Sequence, residues 1–309
     1  MDSPVLLVGD VGGTNCRLAR FDGQIRDVQV WSTDEVSTLG EAADRYLAVH
    51  RFTPDAAAVA VAGPVQGSTA RLTNTDWSAD AADLPCSTRL INDLHAAARG
   101  ISALSAEAVI RLGGDAPLPG APVAVMGIGT GLGQALLVGD LVVPGEGGHA
   151  DFGPSCPELD GLHAWLRERH GRVSTEMVLS GPGLGRILAY ATHHRPLSAA
   201  AAESLRHHPP GAVVFQHAEA DPTCAHALDL FLKAVGSEAG NLALRFLGGV
   251  YLCGGILPRI PQHVTDGRLR ASFEAKAPHR ALLAALPCAL ITDPHLGLLG
   301  AAVEAGRIL

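Results

Sequence analysis

The sequence predicts an α/β protein of two similar halves with a ligand cleft between them. Three observations carry that expectation. Apolar runs of strand length, such as Pro4-Val5-Leu6-Leu7-Val8 and "AAAVAVAG" ending at Gly63, alternate with amphipathic helical stretches. A strand, glycine-rich turn and second strand recur as one unit, first in "LLVGDVGGTNCRLARFDG" and again in "VAVMGIGTGLGQALLVGD". The 309 residues suit one large or two medium domains, at about 100–200 residues per domain.

The elements follow in order. "VLLVGD" reads as a buried strand, "CRLARFD" alternates apolar and polar residues, and "VQVWST" is a third strand after the turn "DGQIRD". Thr38-Leu39-Gly40-Glu41 matches a capping box and opens a helix through "EAADRYLAVHR". "AAAVAVAG" is a buried strand stopped by Gly63-Pro64, and "RLINDLHAAARGISAL" is a short strand running into a helix. The second half repeats the logic: "APVAVMGIGTGLGQALLVGDLVVPG" reads as three strands joined by a glycine turn and a tight turn. Helices follow in "PELDGLHAWLRERHG", stopped by Gly171, and from about Ala225 to Phe246, with an exposed excursion, "HHRPLSAAAAESLRHHPPG", between them. "GGVYLCGGILPRI" and "CALITDP" are strands, and "HLGLLGAAVEAGRIL" is a terminal helix. Each glycine turn joins two strands of a hairpin, whereas a dinucleotide-binding turn opens a helix. Neither G-x-G-x-x-G nor the lysine-bearing phosphate loop occurs.

Composition removes several function classes. An apolar fraction of 47% with 17% charged residues describes a globular chain with a substantial core. A formal net charge of −8 argues against nucleic acid or an anionic membrane as partner. No apolar run reaches the roughly 18 residues of a membrane span, and the N-terminus lacks the basic region of a signal peptide. Cys16, Cys86, Cys156, Cys224, Cys253 and Cys288 are scattered without a C-x-x-C pair, as expected of core thiols in a reducing cytoplasm rather than a zinc site.

The motifs narrow the chemistry. A glycine-rich hairpin turn can present several backbone N–H groups to phosphate oxygens. Asp10, in Gly9-Asp10-Val11-Gly12-Gly13-Thr14-Asn15, would reach phosphate only through a cation such as Mg²⁺, which takes one or two carboxylates plus phosphates and waters. The alternative is a tight hairpin whose glycines adopt positive φ. The second turn, Gly127 to Gly133, supports the phosphate reading, because two such hairpins would clamp a diphosphate from two sides. Gly254-Gly255 would let a flat nucleoside approach the backbone. Asp93 sits at a strand-to-helix junction, where the helix N-terminus would hold it ionised. It is either a helix cap or the carboxylate that takes the proton of an acceptor hydroxyl in a kinase. Glu146 and His149 share the glycine-flexed loop "PGEGGHADFGP" and could bind a metal or the vicinal hydroxyls of a sugar, with Glu176 as a further acceptor.

Taken together and in order, "LVGDVGGTNCRLARFD", "VAVAGPV", "RLTNTDWS", "LINDLHAAARGI", "GIGTGLGQALLV", "PGEGGHADFGP", "RVSTEMVLSGPGL" and "GGVYLCGGILPR" resemble the bacterial glucokinase family of the hexokinase and actin superfamily, essentially end to end. The resemblance implies a two-domain actin-like, ribonuclease H-like fold, each domain a mixed β-sheet flanked by helices. It implies a small domain of 1–103 plus 292–309 and a large domain of 104–291. Gly9, Asp10, Val11, Gly12, Gly13, Thr14 and Asn15 would form the first phosphate loop, with Asp10 serving Mg²⁺ through water. Gly129, Thr130 and Gly131 would form the second phosphate loop, and Gly254 and Gly255 the adenosine motif. Asp93 would be the general base, with Asn74, Asn92, Glu146, His149 and Glu176 around the sugar.

The implied reaction moves the γ-phosphoryl of ATP to the 6-hydroxyl of glucose, in a cytoplasmic, glycolytic homodimer. A kinase for fructose, mannose or an N-acetylated sugar is the nearest alternative, and a sugar-sensing regulator a more distant one. The related repressor and kinase group carries a cysteine-rich zinc motif after its E-x-G-H. Here that region holds only Cys156, so no structural zinc is expected, and no DNA-binding segment is expected before the first hairpin.

Overall fold

The computed structural model describes residues 4–72, 77–115 and 120–309. The chain divides into two compact units. One comprises Met1–Val109, Val142–Pro144 and Asp293–Leu309, and the other Ile110–Leu141 and Gly145–Thr292.

The first unit is built on strands β1 (Leu6–Val11), β2 (Asn15–Phe21), β3 (Ile25–Ser32), β4 (Ala56–Val61) and β5 (Ser87–Asn92), in spatial order β3-β2-β1-β4-β5. β1 and β2 form an antiparallel hairpin, whereas β1–β4 and β4–β5 pair in parallel. All six residues of β4 are buried, as a central parallel strand covered on both faces requires. Alternate residues serve alternate faces. Leu7, Val11, Ala57, Val59 and Val61 pack with Leu39, Ala42, Ala43 and Tyr46 of helix α1 (Leu39–His50). Leu6, Val8, Ala56 and Ala58 pack with Leu298, Ala301, Ala302 and Ala305 of the C-terminal helix (Leu296–Gly306).

Helix α2 (Asp93–Gly100) leaves β5 directly and lies close against the C-terminal helix. A Cβ on Gly100 would stand 2.5 Å from the Leu296 carbonyl oxygen, and one on Gly300 would collide with the Ala96 carbonyl. Only glycine permits that separation.

A second sheet holds β6 (Val109–Gly113), β7 (Val123–Ile128), β8 (Leu132–Val138), β9 (Leu141–Gly145), β10 (Gly249–Cys253) and β11 (Cys288–Ile291), and helices α3 (Pro157–His170), α4 (Gly181–His194) and the 25-residue α5 (Pro222–Phe246) belong to the second unit. The sheet order is β9-β8-β7-β10-β11-β6. The β7–β8 hairpin is antiparallel and β7–β10–β11 are parallel, the arrangement of the first unit again. The two units therefore share a mixed-sheet plan, a glycine hairpin followed by parallel strands.

Several local expectations shift. β3 begins at Ile25, three residues earlier than its pattern suggested, because Gly23 at φ +97° turns the chain sooner. Thr38 caps α1 by accepting from the Glu41 N–H, but the Glu41 carboxylate accepts from the Ser37 N–H rather than closing the box on Thr38. α5 starts at Pro222, three residues before the pattern, because Asp221 caps it through the Thr223 and Cys224 N–H groups. The 193–211 excursion is less exposed than expected: Ala201 is fully buried, and a short helix after it places Val213 and Val214 in the core. No helix among the described residues is long and apolar enough to cross a membrane.

Candidate active site

On the first unit, the β1–β2 hairpin carries Gly9 through Asn15. The Gly12 N–H donates to the Asn15 carbonyl (2.9 Å), and the Thr33 N–H and hydroxyl tie the turn to the end of β3. Gly12 and Gly13 do not adopt positive φ, and a Cβ at either would meet nothing within 4 Å. Neither turn geometry nor packing demands glycine there, so what its absence of a side chain leaves is open access to the backbone. Gly9 differs: a Cβ would press on Val59 at 2.8 Å and Leu18 at 2.9 Å, so its glycine is required by strand packing. Val11 is fully buried and can offer a ligand only its backbone. Thr14 and Asn15 lie at the turn, with the Asn15 amide donating to the Thr14 hydroxyl (3.0 Å).

Asp10 points into a confined place. Burial raises its pKa, and the charge of Arg17, whose guanidinium stands 3.1 Å away, opposes the rise. Arg17 faces Asp10 directly across the hairpin register, and the sequence reading missed it although the register makes the pair legible. Gly297 of the C-terminal helix closes the other side, where a Cβ would lie 3.0 Å from the Asp10 carboxyl carbon.

Asn92 and Asp93 divide two duties at the β5–α2 junction. Asn92 is the helix cap, its Oδ1 accepting from the Leu94 N–H (2.9 Å), while its amide group donates to the Gly63 carbonyl (3.4 Å). Asp93 is therefore the first helical residue rather than the cap, although its Oδ1 shares the Leu94 N–H (3.0 Å). The helix N-terminus favours the ionised form through the Leu94 N–H, and burial opposes it more strongly. Burial pushes the Asp93 pKa up to about 6, the Asp10 charge adds to the rise, and the Leu94 N–H opposes it. Desolvation wins because the carboxylate trades water for few compensating donors.

On the second unit, the β7–β8 turn carries Gly129, Thr130 and Gly131. The Gly129 N–H donates to the Gly131 carbonyl (2.9 Å), and the Gly129 carbonyl accepts from the Gly181 N–H (2.8 Å) at the start of α4. A Cβ on Gly131 would come 2.6 Å from Glu176 Oε2, and that same oxygen accepts from the Leu132 N–H (2.8 Å). Gly254 follows β10 at φ +96°, and its Cβ would collide with the Ile128 backbone, so both conformation and close approach demand glycine. Gly255 beside it is open. Because β7 and β10 pair in parallel, with Gly127 opposite Cys253, the second glycine turn and Gly254-Gly255 emerge side by side from one sheet end.

Glu146 and His149 sit on the turn after β9, largely exposed, with Oε2 and Nε2 4.0 Å apart. The turn is anchored from below: the Gly148 carbonyl accepts from the Glu176 N–H (2.8 Å), and the Ala150 carbonyl accepts from the Thr175 N–H (2.8 Å). Glu146, His149 and Glu176 thus belong to one local assembly, which also contacts the second glycine turn through Glu176. Gln134 underlies it. Its carboxamide oxygen fills the space where Gly147 lacks a side chain, and its amide donates to the buried Glu238 (3.0 Å). Nothing in the local pattern marks Gln134, because its partner is 104 residues away. Asn74 lies outside the described residues. Among the described residues, no group of three or more His, Cys, Asp or Glu is placed to hold a metal ion.

A glucokinase family model matches residues 7–307. The glucokinase of Yersinia enterocolitica is 39% identical over 314 aligned positions, covering 96% of this chain and 94% of that protein. Among solved structures, a glucokinase from an Antarctic psychrotroph superposes with a TM-score of 0.85 at 29% identity, covering 99% of both chains. A glucokinase from Balamuthia mandrillaris, solved in complex with glucose, superposes with a TM-score of 0.80 at 24% identity, covering 98% of this chain and 94% of that one. With a family model spanning nearly the whole chain and a relative this close, the chain belongs to the glucokinase family, enzymes of the two-domain actin-like sugar-kinase fold.

Proposed function

We propose that this protein transfers the γ-phosphoryl group of ATP to the 6-hydroxyl of glucose, with Asp93 as general base. The observation that carries the reading is the state of Asp93. Asn92 takes over helix capping, and burial sets the Asp93 pKa at about 6. A base works best when its pKa lies near the working pH, because it is then both ionised and basic enough to accept a proton. Asp93 would orient the hydroxyl and take its proton as the oxygen attacks phosphorus. Asn92, Glu146, His149, Glu176 and Asn74 would hold the other hydroxyls.

The phosphates would meet the open backbone at Gly12-Gly13 and at Gly129–Gly131, and the nucleoside would lie along Gly254-Gly255. Asp10 fits a Mg²⁺ ion of the kind kinases use, because one partly exposed carboxylate beside a phosphate-binding turn is what that ion commonly takes from a protein. When bound, Mg²⁺ would offset charge on the phosphates. Family membership further supports a cytoplasmic homodimer, and light scattering after gel filtration measures the dimer.

The test is product identification by mass spectrometry after incubation with Mg·ATP and a panel of hexoses. Glucose 6-phosphate as the preferred product is expected. ATP hydrolysis without a sugar phosphate, or preference for fructose, mannose or an N-acetylated sugar, would overturn the reading.

A further inference from the structure

We propose that Glu304 is a positioning residue for phosphoryl transfer, clamping from the C-terminal helix the strand-to-helix junction that carries Asn92 and Asp93. The inference rests on Asp93 acting as the base. The Glu304 side chain is 2% exposed, and three cationic or ring donors converge on it. Its Oε2 accepts from Arg89 Nη1 at 2.8 Å, and its Oε1 faces His95 Nε2 at 3.2 Å and pairs with Arg99 Nε. Arg89 lies on β5, three residues before Asn92. His95 and Arg99 lie on α2, two and six residues after Asp93. The one carboxylate therefore grips the chain on both sides of the catalytic pair.

Stability alone is a poor reason for this arrangement. α2 and the C-terminal helix already interlock through Gly100 and Gly300, which lets their backbones touch. A buried ionic cluster is often replaceable by apolar residues of similar volume at no loss of stability, because its desolvation offsets its attraction. What such a cluster supplies is a defined geometry, since a carboxylate with fixed donors accepts few orientations. The same helix also places Gly297 against the Asp10 carboxyl. One rigid element thus backs both carboxylates, Asp10 at its first turn and the Asp93 junction at its last. Burial pushes the Glu304 pKa up, but the bonds from Arg89 and His95 and the charge of Arg99 outweigh it and hold the group ionised.

Glu304→Gln keeps the shape and removes the charge. Glucose phosphorylation is measured per folded molecule, with the folded fraction taken from thermal unfolding in the same buffer. The expected result is a kcat lower by about 10–100-fold with KM for glucose and for ATP within about threefold, because misplacement of a reacting group by an ångström has that effect on rate. A purely structural role would lower the melting temperature and leave kcat per folded molecule unchanged, and that result would overturn the proposal. If Glu304→Gln does not fold, Arg89→Gln decides, since its side chain is half exposed. A loss of kcat there that Arg89→Lys restores supports the clamp, and an unchanged kcat refutes it. Wild-type protein in the same assay separates the two readings. No sugar phosphate from wild type defeats the kinase reading and this inference with it, whereas an active wild type with an unaffected Glu304→Gln defeats only the clamp.

Discussion

Replacing Asp93 by Asn should stabilise the apo protein above pH 6 while removing most of its turnover. The carboxyl titrates near 3.8 when unhindered and at about 6 in the folded chain, chiefly because it is buried. At 1.36 kcal/mol per pH unit, the shift corresponds to about 3 kcal/mol. The sign follows from which state holds the proton. Below 3.8 both folded and unfolded chains are protonated and the group has no net effect. Between 3.8 and 6 the unfolded chain loses its proton first, so stability falls as pH rises. Above 6 the folded state carries the full penalty of a desolvated charge. Asn carries no charge and still accepts from the Leu94 N–H, so the capping geometry survives. Urea unfolding in EDTA should therefore show Asp93→Asn more stable by up to about 3 kcal/mol at pH 8 and equal to wild type at pH 3.5. In wild type, kcat/KM should fall as pH drops below about 6, because the protonated carboxyl cannot accept the sugar proton. Equal stability at pH 8, or a gain independent of pH, would refute burial as the source of the shift. Near-normal kcat in the variant would remove Asp93 from catalysis.

Three further outcomes follow from the same geometry. Gly12→Ala, whose Cβ meets only open space, should leave thermal stability within about 0.5 kcal/mol of wild type yet raise the KM for ATP; an unchanged KM argues against the first turn as a phosphate site. Gly254→Ala must place an L residue at φ +96° and against the Ile128 backbone, so it should lower stability by at least about 2 kcal/mol in chemical unfolding, and a smaller loss means the strand end relaxes freely. Burial pushes the thiols of Cys16, Cys224 and Cys288 up to about 12, so iodoacetamide at pH 8 should spare all three in the native protein, as peptide mapping reads out.

Much of the scaffold was legible because its signals are local. The two glycine hairpins announce themselves through strands of short period on either side of a turn, and Asn92-Asp93 through an apolar run that switches to helical spacing. Gly171 and Thr38 mark helix ends by mechanisms that act within a few residues. Other features escaped because they depend on partners far along the chain. Glu176 reaches Leu132 across 44 residues, and Arg89 reaches Glu304 across 215. No spacing rule connects such positions, since the chain between them can take any course until the core closes.

The residue types at each turn and junction, by themselves, determined the paired α/β plan, the two glycine-rich hairpin turns and the placing of one carboxylate at a strand-to-helix junction. Backbone geometry at those points is a property of neighbouring residues, so the sequence alone suffices. Only the tertiary structure decided that Asn92 caps the helix while Asp93 is left to titrate near 6, that Gly9 serves packing while Gly12 and Gly13 stand open, and that the C-terminal helix backs both acidic groups. A carboxylate's pKa and a glycine's necessity depend on every atom that displaces water or fills space around them, and those atoms arrive from all parts of the chain.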